Sequence, residues 1–486
     1  MIDLNQNTLT QIVNSIRSKK ISSLEVTKFF INNIEKAKKL NAFITTCFEK
    51  SLKDAENFDN KKNYSGLLPG IPIAVKDLFC TKNIRTTAGS KILENFIPSY
   101  ESSVTNNLWS EGAIILGKLN CDEFAMGSSN ETSYFGNTIN PIGKNLVPGG
   151  SSGGSASALA ANLTPVTIGT DTGGSIRQPA SFTGTVGLKP TYGLCSRWGI
   201  TAFASSLDQA GPMTKNVQDC ALLLEAMSGY DPKDSTSINK KKEQYSKNLS
   251  ENIKGLKIGI PKEYRIDNMP KEIDKIWNNG IDILKKSGAK IVDISLPHTK
   301  YALPTYYIVA PAEASSNLAR YDGVKYGYRS KKGKNLVEMY ENTRGEGFGR
   351  EVKRRVLIGT YVLSSGYYDA YYLKAQKVRK LIKNDFDESF KKVDAILTPS
   401  TPSSAFKFGE KTNDPISMYL NDIFTVPVNL AGIPAISIPG GEDSKGYPMG
   451  LQLISKALDE QKILNIALTM EKAINFKNSI SRWWEN

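Results

Sequence analysis

Histidine is almost missing from this sequence, whose 486 residues include a single one, His298. One histidine excludes a metal centre built on several imidazole ligands. It also leaves a Ser-His-Asp triad with only one candidate base. Because His298 follows a proline in the segment ISLPHTK, we expect an ordinary loop residue there. Serine chemistry in this chain is therefore expected to use a base of another type.

Cysteine and long apolar runs are scarce as well. Five cysteines without any C-x-x-C pair fit neither a disulfide framework nor a zinc knuckle, and buried reduced thiols are expected. No stretch of about 18 uninterrupted apolar residues occurs, which argues against a membrane-spanning helix. The N-terminal segment MIDLNQNTLTQIVNSIRSKK lacks the basic-then-apolar order of a secretory signal. We therefore expect a cytoplasmic protein without a membrane partner.

Positive charge is in excess, since 62 lysines and arginines against 48 acidic residues give a formal net charge of +14. Such a balance is compatible with a nucleic-acid partner. However, the lysines are spread along the chain, and no basic patch is interleaved with aromatic residues that could stack on bases. Solvated surface lysine is the simpler interpretation, so this chain is not expected to be the main binder of an RNA.

Apolar strand-like segments alternate with helical segments along most of the chain. The clearest predicted strands are 67–77, 113–119, 165–169, 256–261, 289–295, 394–400 and 434–440, and the clearest helices are 8–18, 23–39, 102–111 and 155–162. This alternation predicts an α/β fold with a mostly parallel or mixed sheet covered by helices on both faces. No repeat, low-complexity tract or long linker divides the chain, so a single domain over residues 1–486 is predicted.

Residues 145–193 are dense in glycine, serine and threonine and allow three interpretations. Phosphate binding has little support, because neither G-x-x-x-x-G-K-[ST] nor G-x-G-x-x-G is present. The segment from Gly149 to Gly153 matches the G-x-S-x-G nucleophile elbow. No apolar strand runs straight into that turn, however, and His298 would have to be the base. The third interpretation needs only serine and lysine.

A serine hydroxyl can be activated by a neutral lysine in place of a histidine. The lysine must be desolvated or close to other cations, because its ordinary pKa is about 10.4. Lys76 ends the apolar segment IAVK and suits this requirement. A second serine can relay the proton. The nucleophile also needs backbone N–H groups near the developing oxyanion, and the segment Thr172-Gly173-Gly174-Ser175 fits that description.

Two motifs in this region resemble those of the amidase signature family. The run GGSSGGSASALAANLTPVTIGTDTGGSIRQPASFTGTVGLKP (149–190) is similar to the signature sequence itself, and PIAVKD (72–77) is similar to the upstream lysine motif. The resemblance implies Ser175 as the nucleophile, Ser151 as the bridging serine and Lys76 as the base. It also implies an α/β/α sandwich with a large mixed sheet and no metal. The oxyanion hole that it implies lies on the backbone of Thr172, Gly173 and Gly174, up to Ser175.

Outside this core, four segments resemble the A subunits of tRNA-dependent amidotransferases, a branch of the family. They are residues 121–141, 191–219, 304–327 and 347–379. The resemblance extends from about residue 8 to about residue 474, with a catalytic core at about 67–220 and a substrate-recognition half at about 254–474. It implies a glutaminase that supplies ammonia for converting Glu-tRNA(Gln) to Gln-tRNA(Gln), and possibly Asp-tRNA(Asn) to Asn-tRNA(Asn). A free-standing amidase acting on another small amide is the alternative.

The same resemblance implies partners. A B subunit would bind most of the tRNA and use ATP and Mg²⁺ to activate its carboxylate, and a small C subunit would tie the other two together. No cofactor is implied for this chain, in which nothing resembles an ATP site. This division of labour is an expectation from the resemblance alone.

Free glutamine is a zwitterion, so its site needs a cation for the carboxylate and an anion for the ammonium group. The resemblance assigns these roles to Arg355 and Asp422, with Tyr306 lining the pocket. The spacing of residues allows a different role for Arg355. It lies one turn after Glu351, and the two can form an exposed ion pair on one helix face.

Overall fold

The structure is a computed structural model that describes residues 3–61, 64–266 and 269–485. Within them, eleven strands form one sheet. The strands are β1 (Phe43–Thr46), β2 (Pro72–Lys76), β3 (Ile114–Leu119), β4 (Thr167–Thr170), β5 (Val186–Lys189), β6 (Ala210–Thr214), β7 (Lys257–Pro261), β8 (Lys290–Ile294), β9 (Ala395–Pro399), β10 (Ala435–Glu442) and β11 (Pro448–Ile454). Their order across the sheet is β1-β3-β2-β4-β6-β5-β10-β11-β9-β7-β8.

Helices connect most of these strands. They are α1 (Leu9–Arg17), α2 (Ser23–Lys36), α3 (Phe48–Lys61), α4 (Ser103–Ser110), α5 (Gly153–Ala160), α6 (Arg177–Thr183), α7 (Val217–Met227), α8 (Lys271–Lys286), α9 (Ala302–Asn317), α10 (Leu336–Gly347), α11 (Arg350–Leu363), α12 (Lys374–Ser389), α13 (Pro415–Tyr419), α14 (Val426–Ala431) and α15 (Glu460–Ile474). A π-helix at Tyr368–Leu373 leads into α12. In the part of the chain that the structure describes, no helix is both long enough and apolar enough to cross a membrane.

The sheet is mixed. Parallel pairs lie towards its two ends, where β2 pairs with β3 and β4, and β7 pairs with β8 and β9. The centre is antiparallel, from β4 through β6, β5, β10 and β11 to β9. Strands from both halves of the chain therefore share one sheet, and β5 and β10 join the halves.

The sheet carries helices on both faces. Along β11, Gly450 and Leu451 point to opposite sides, because side chains alternate along a strand. A Cβ on Gly450 would lie 2.9 Å from Cβ of Ser181 in α6, whereas a Cβ on Gly280 of α8 would lie 2.7 Å from the Leu451 side chain. The predicted α/β/α sandwich with a large mixed sheet is confirmed.

The parallel pair of β2 and β4 brings two motifs to one edge of the sheet. Ala74 lies opposite Thr167 and Val75 opposite Ile168. Because the two strands run in the same direction, their carboxyl ends meet at the same edge. β2 ends at Lys76, so the glycine-rich segment that follows β4 begins beside this lysine.

Candidate active site

Lys76 is fully buried at the end of β2. Its Nζ atom lies 2.6 Å from Ser151 Oγ and 2.8 Å from Thr170 Oγ1, and 3.0 Å from Ser152 Oγ. Burial lowers the pKa of Lys76 to about 8, although the charges of nearby acidic groups oppose this shift. A substantial fraction of the amine is therefore neutral near physiological pH and can accept a proton from Ser151.

Ser151 is also fully buried, and the peptide bond that joins it to Gly150 is cis. The Gly150 N–H donates to Gln178 Oε1 over 3.0 Å, and the Asp122 N–H donates to the Ser151 carbonyl over 3.3 Å. These bonds hold the turn on both sides of the serine. Its hydroxyl is directed towards Lys76, the position that a proton relay requires.

Ser175 lies on the turn between β4 and α6 and is 7% exposed, whereas Lys76 and Ser151 are completely enclosed. Within the described ranges, its hydroxyl makes no hydrogen bond to another protein group. The Ser152 N–H donates to the Ser175 carbonyl over 3.2 Å, so the turn that carries Ser175 is bonded to the residue that follows the enclosed Ser151. This is the arrangement expected of a nucleophile with a buried relay behind it.

The carboxylate of Asp171 shapes this turn. It accepts hydrogen bonds from the N–H groups of Gly174 (2.8 Å) and Ile176 (3.2 Å), and forms an ion pair with Arg177 (3.0 Å). Burial alone would raise the pKa of Asp171, but the Arg177 guanidinium outweighs burial and holds it at about 2. Gly174 has a φ of +140°, and a Cβ there would lie 2.3 Å from Thr425 Oγ1. The turn therefore requires glycine at this position.

The oxyanion-hole prediction included Gly174, but the structure directs the N–H of Gly174 to Asp171. In the described part of the chain, the N–H groups of Thr172, Gly173 and Ser175 have no hydrogen-bond partner. The Thr172 hydroxyl donates to Asp208 over 2.7 Å, which holds the start of the turn in place. Three backbone donors therefore remain available around Ser175.

Arg355 lies on α11 and is only 3% exposed. Its Nε–H donates to Glu351 Oε1 over 2.8 Å, so the ion pair allowed by the spacing exists, but it is largely buried instead of exposed, with Glu351 13% exposed. The guanidinium carbon lies 5.3 Å from the ring centre of Tyr307 and 5.7 Å from that of Tyr419. Among the described residues the two terminal nitrogens have no hydrogen-bond partner, which leaves them free for an anion.

Asp422 and Tyr306 are the other two predicted substrate-binding residues. Ser128 donates its hydroxyl proton to Asp422 Oδ2 over 2.6 Å, and burial raises the pKa of Asp422 to about 7. A Cβ built on Gly173 would lie 2.7 Å from the ring of Tyr306, so this ring packs directly on the turn that carries Ser175. Ser128 and Arg355 both line a cavity of about 310 Å³.

Three residues of this site were not predicted from the sequence. Thr170 and Asp171 lie inside the signature-like run and orient Lys76 and the nucleophile turn, whereas Ser128 holds Asp422. A local signal existed only for Asp171, the acidic residue directly before the Thr-Gly-Gly-Ser turn. The roles of the others depend on contacts between distant segments.

His298 forms its hydrogen bonds with Asp385, which is not one of the predicted site residues. Its Nδ1 atom lies 2.9 Å from Asp385 Oδ1 on α12, and its backbone N–H donates to the same carboxylate over 2.7 Å. The five cysteines form no disulfide, and all but Cys47 are buried. Neither the histidine nor a thiol contacts Ser151 or Ser175 through a hydrogen bond.

A fully buried lysine bonded to an enclosed serine, with a second serine on a glycine turn, fits a serine hydrolase that uses lysine in place of histidine. A family model described as Amidase matches residues 25–464 of this chain. The chain belongs to the amidase family, and the resemblance predicted from its motifs is confirmed.

Individual relatives agree with this assignment. The chain is 75% identical over 484 residues to the A subunit of glutamyl-tRNA(Gln) amidotransferase from Pelagibacter ubique, with 100% of both chains covered. It is 60% identical over 490 residues to the protein of the same name from Caulobacter vibrioides, with 99% of this chain and 100% of the other covered. The crystal structure of the corresponding protein from Thermotoga maritima superimposes with a TM-score of 0.81 at 40% identity, covering 97% of this chain and 96% of the other.

Proposed function

We propose that this chain is the glutamine-hydrolysing subunit of a tRNA-dependent amidotransferase. The observation that carries the proposal is a Ser–Ser–Lys arrangement together with a buried cation, Arg355, and a buried acidic residue, Asp422; Arg355 lines a cavity that is also lined by Ser128, the hydrogen-bond partner of Asp422. These two charges match the carboxylate and the ammonium group of free glutamine. The names of relatives that match the whole chain support the same function.

The reaction begins at Ser175, whose oxygen attacks the carbon of the glutamine side-chain amide. The Ser175 proton passes to Ser151 as the Ser151 proton passes to Lys76, which lies 2.6 Å from Ser151. The N–H groups of Thr172, Gly173 and Ser175 stabilise the developing oxyanion. The C–N bond then breaks, and the lysine proton returns through Ser151 to the leaving nitrogen, which departs as ammonia.

The product of this step is a γ-glutamyl ester of Ser175. Water attacks the ester carbon and gives up its proton along the same relay, and the ester bond breaks to release glutamate and restore the serine hydroxyl. Each half of the reaction uses the lysine once as a base and once as an acid.

The substrate's two charged groups set its position. In this proposal the free terminal nitrogens of Arg355 bind the α-carboxylate, and Asp422 binds the α-ammonium group, which favours the ionised form of the Asp422 carboxyl group. Tyr306 packs on Gly173 and closes the pocket next to Ser175. A bound glutamine therefore bridges the two halves of the chain.

The ammonia is consumed elsewhere. In our proposal a B subunit holds most of the tRNA and uses ATP and Mg²⁺ to activate the carboxylate of Glu-tRNA(Gln), and possibly of Asp-tRNA(Asn). A C subunit joins this chain to the B subunit, and the complex acts in the cytoplasm. The names of the relatives, which are subunits of an amidotransferase, support membership of a multi-subunit enzyme.

Purification from the native source, followed by a glutaminase assay with and without the bound partners, tests this function. The complex is expected to release ammonia from glutamine, and a Ser175→Ala complex is expected to release none. A free-standing amidase is the alternative, favoured by the likeness to a Stenotrophomonas maltophilia peptide amidase (TM-score 0.82, 26% identity, 98% and 99% of the two chains covered). Purification without partners and hydrolysis of neutral amides in preference to glutamine would support that alternative.

A further inference from the structure

Glu123 is a buried carboxylate that the proposed mechanism does not use. It lies in a short 3₁₀ turn, Glu123–Ala125, and is 2% exposed. One carboxylate oxygen, Oε1, accepts the hydroxyl proton of Ser90. The other, Oε2, accepts the backbone N–H of Gly349 over 2.8 Å. Burial raises the pKa of Glu123 to about 7, and a buried carboxyl group with both oxygens engaged needs a structural reason, because burying its charged form is costly.

The contact with Gly349 lies at the beginning of α11. Gly349 is the N-cap residue of this helix and has no side chain that could cap it. The first N–H groups of a helix have no partner within the helix, and a negative charge is favourable there. Glu123 therefore caps α11 from a segment 226 residues away. The fit is close, since a Cβ on Gly349 would lie 2.4 Å from Glu123 Oε2.

The same carboxylate is tied to the base of the proposed mechanism. Ser90 belongs to a loop whose residue Thr87 donates both its N–H (2.8 Å) and its hydroxyl proton (2.5 Å) to Asp77. Asp77 directly follows Lys76. In addition, the N–H of Phe124 donates to the carbonyl of Ala88 in this loop over 2.8 Å. Glu123 thus links the edge of the sheet that carries the base to the helix that carries Arg355.

We propose that Glu123 is a positioning residue for glutamine recognition, which holds the start of α11 and thereby sets the place of Arg355 in the substrate pocket. The proposal rests on the function proposed above. Arg355 lies just over one and a half turns beyond the contact, or about 9 Å along the axis at 1.5 Å per residue. A shift of the helix start is therefore carried directly to the guanidinium group.

Glu123→Gln tests the proposal in the purified amidotransferase complex. The variant keeps the size of the side chain but removes the charge and one of the two acceptors. A misplacement of about 1 Å can cost up to about 100-fold in rate, so we expect KM for glutamine to rise about 10-fold. Labelling of Ser175 by an uncharged serine-reactive probe should stay within about twofold of wild type, since the probe does not need Arg355.

Asp219→Asn is the matched control. Asp219 is 1% exposed and accepts the N–H groups of Leu9 (2.8 Å) and Thr10 (2.9 Å) at the start of α1. It therefore caps a distant helix in the same way, but that helix carries none of the predicted site residues. Its variant is expected to leave KM for glutamine unchanged, even if it lowers the melting temperature by as much as Glu123→Gln does.

An unchanged KM in Glu123→Gln, or an equal rise in Asp219→Asn, would overturn the proposal. A parallel loss of probe labelling would overturn it too, because it would indicate general damage. If Glu123→Gln does not fold, Gly349→Ala disturbs the same contact while Glu123 stays in place. This variant is expected to raise KM for glutamine similarly, and an unchanged KM would also overturn the proposal. If the wild-type complex shows no glutaminase activity, that result would instead refute the proposed function.

Discussion

Replacing Arg355 with alanine is the sharpest test of substrate recognition. The arginine is buried, and its charge is held in place by Glu351, which also accepts the hydroxyl proton of Tyr419 over 2.9 Å. Arg355→Ala removes the only charged group assigned to the substrate carboxylate. It also leaves Glu351 beside the pocket with the partly exposed Arg354 as its remaining charged partner, so its negative charge is only partly compensated and would repel that carboxylate.

The expected magnitude follows from the burial of the site. A hydrogen bond to a charged group contributes about 1.5–3 kcal/mol, which corresponds to roughly 10- to 150-fold in kcat/KM. Because Glu351 stays behind as a repulsive charge, we expect the upper part of this range for Arg355→Ala. The double variant Arg355→Ala/Glu351→Gln should recover part of the loss, since it removes the repulsion without restoring the contact.

The assay compares kcat/KM for glutamine with the rate at which an uncharged serine-reactive probe labels Ser175. Arg355→Ala should lower kcat/KM for glutamine and leave the rate of probe labelling unchanged. Arg354→Ala is the control, because this neighbouring arginine also pairs with Glu351 but is about one-third exposed. Pairs of that kind contribute little, so a loss of less than about threefold is expected. Equal losses in the two variants, or none in Arg355→Ala, would refute the assignment of Arg355.

Two further variants test the proposed base, Lys76, and the fit of the nucleophile turn at Gly173. Probe labelling of the candidate nucleophile should accelerate as the pH rises through about 8, because the neutral amine of Lys76 is the base and its pKa is lowered to that value by burial. Lys76→Ala should slow labelling about 10²–10⁴-fold and abolish this dependence; a dependence that survives the substitution would contradict the mechanism. Gly173→Ala places a Cβ 2.7 Å from the Tyr306 ring and should lower kcat/KM for glutamine about 10-fold or more. Gly345→Ala on α10, where a Cβ meets nothing within 4 Å, should have no effect, and similar losses in both would argue against a tight Gly173–Tyr306 contact.

Sequence patterns predicted the strands whose residues form continuous apolar runs. The segments around β2, β3, β4, β7, β8, β9 and β10 were found within a few residues of their observed bounds. The predicted strand at 67–77 begins later, at Pro72, because Pro69 and Gly70 belong to the preceding turn. Four strands were missed. They are β1, β5, β6 and β11.

Two of the missed strands, β5 and β6, share a physical reason. β5 (VGLK) and β6 (AGPMT) are short and contain glycine or proline, so they have little intrinsic preference for strand structure. Their conformation comes from pairing, since β5 lies between β6 and β10 in the antiparallel centre of the sheet. β10 is about 250 residues further along the chain, and local patterns carry no information on such a pairing.

Among the candidate site residues, too, some could be selected from a local pattern, whereas the surroundings of others depend on distant segments. Ser151 and Ser175 occur in one continuous motif, and Lys76 ends an apolar strand, so a local pattern was sufficient to select them. The burial of the Arg355–Glu351 pair could not be predicted, because helix spacing is the same for an exposed and a buried pair. It depends on rings of other segments, such as Tyr419, that cover the guanidinium.

The central claim is that Ser175 forms the covalent bond to the substrate and Ser151 only relays a proton. Acid quenching of the complex during glutamine turnover, followed by mass spectrometry of its peptides, tests this claim directly. A γ-glutamyl adduct on Ser175, absent from the Ser175→Ala variant, is the predicted result. A γ-glutamyl adduct on Ser151 would contradict the account and would favour the nucleophile-elbow interpretation of the Gly149–Gly153 segment.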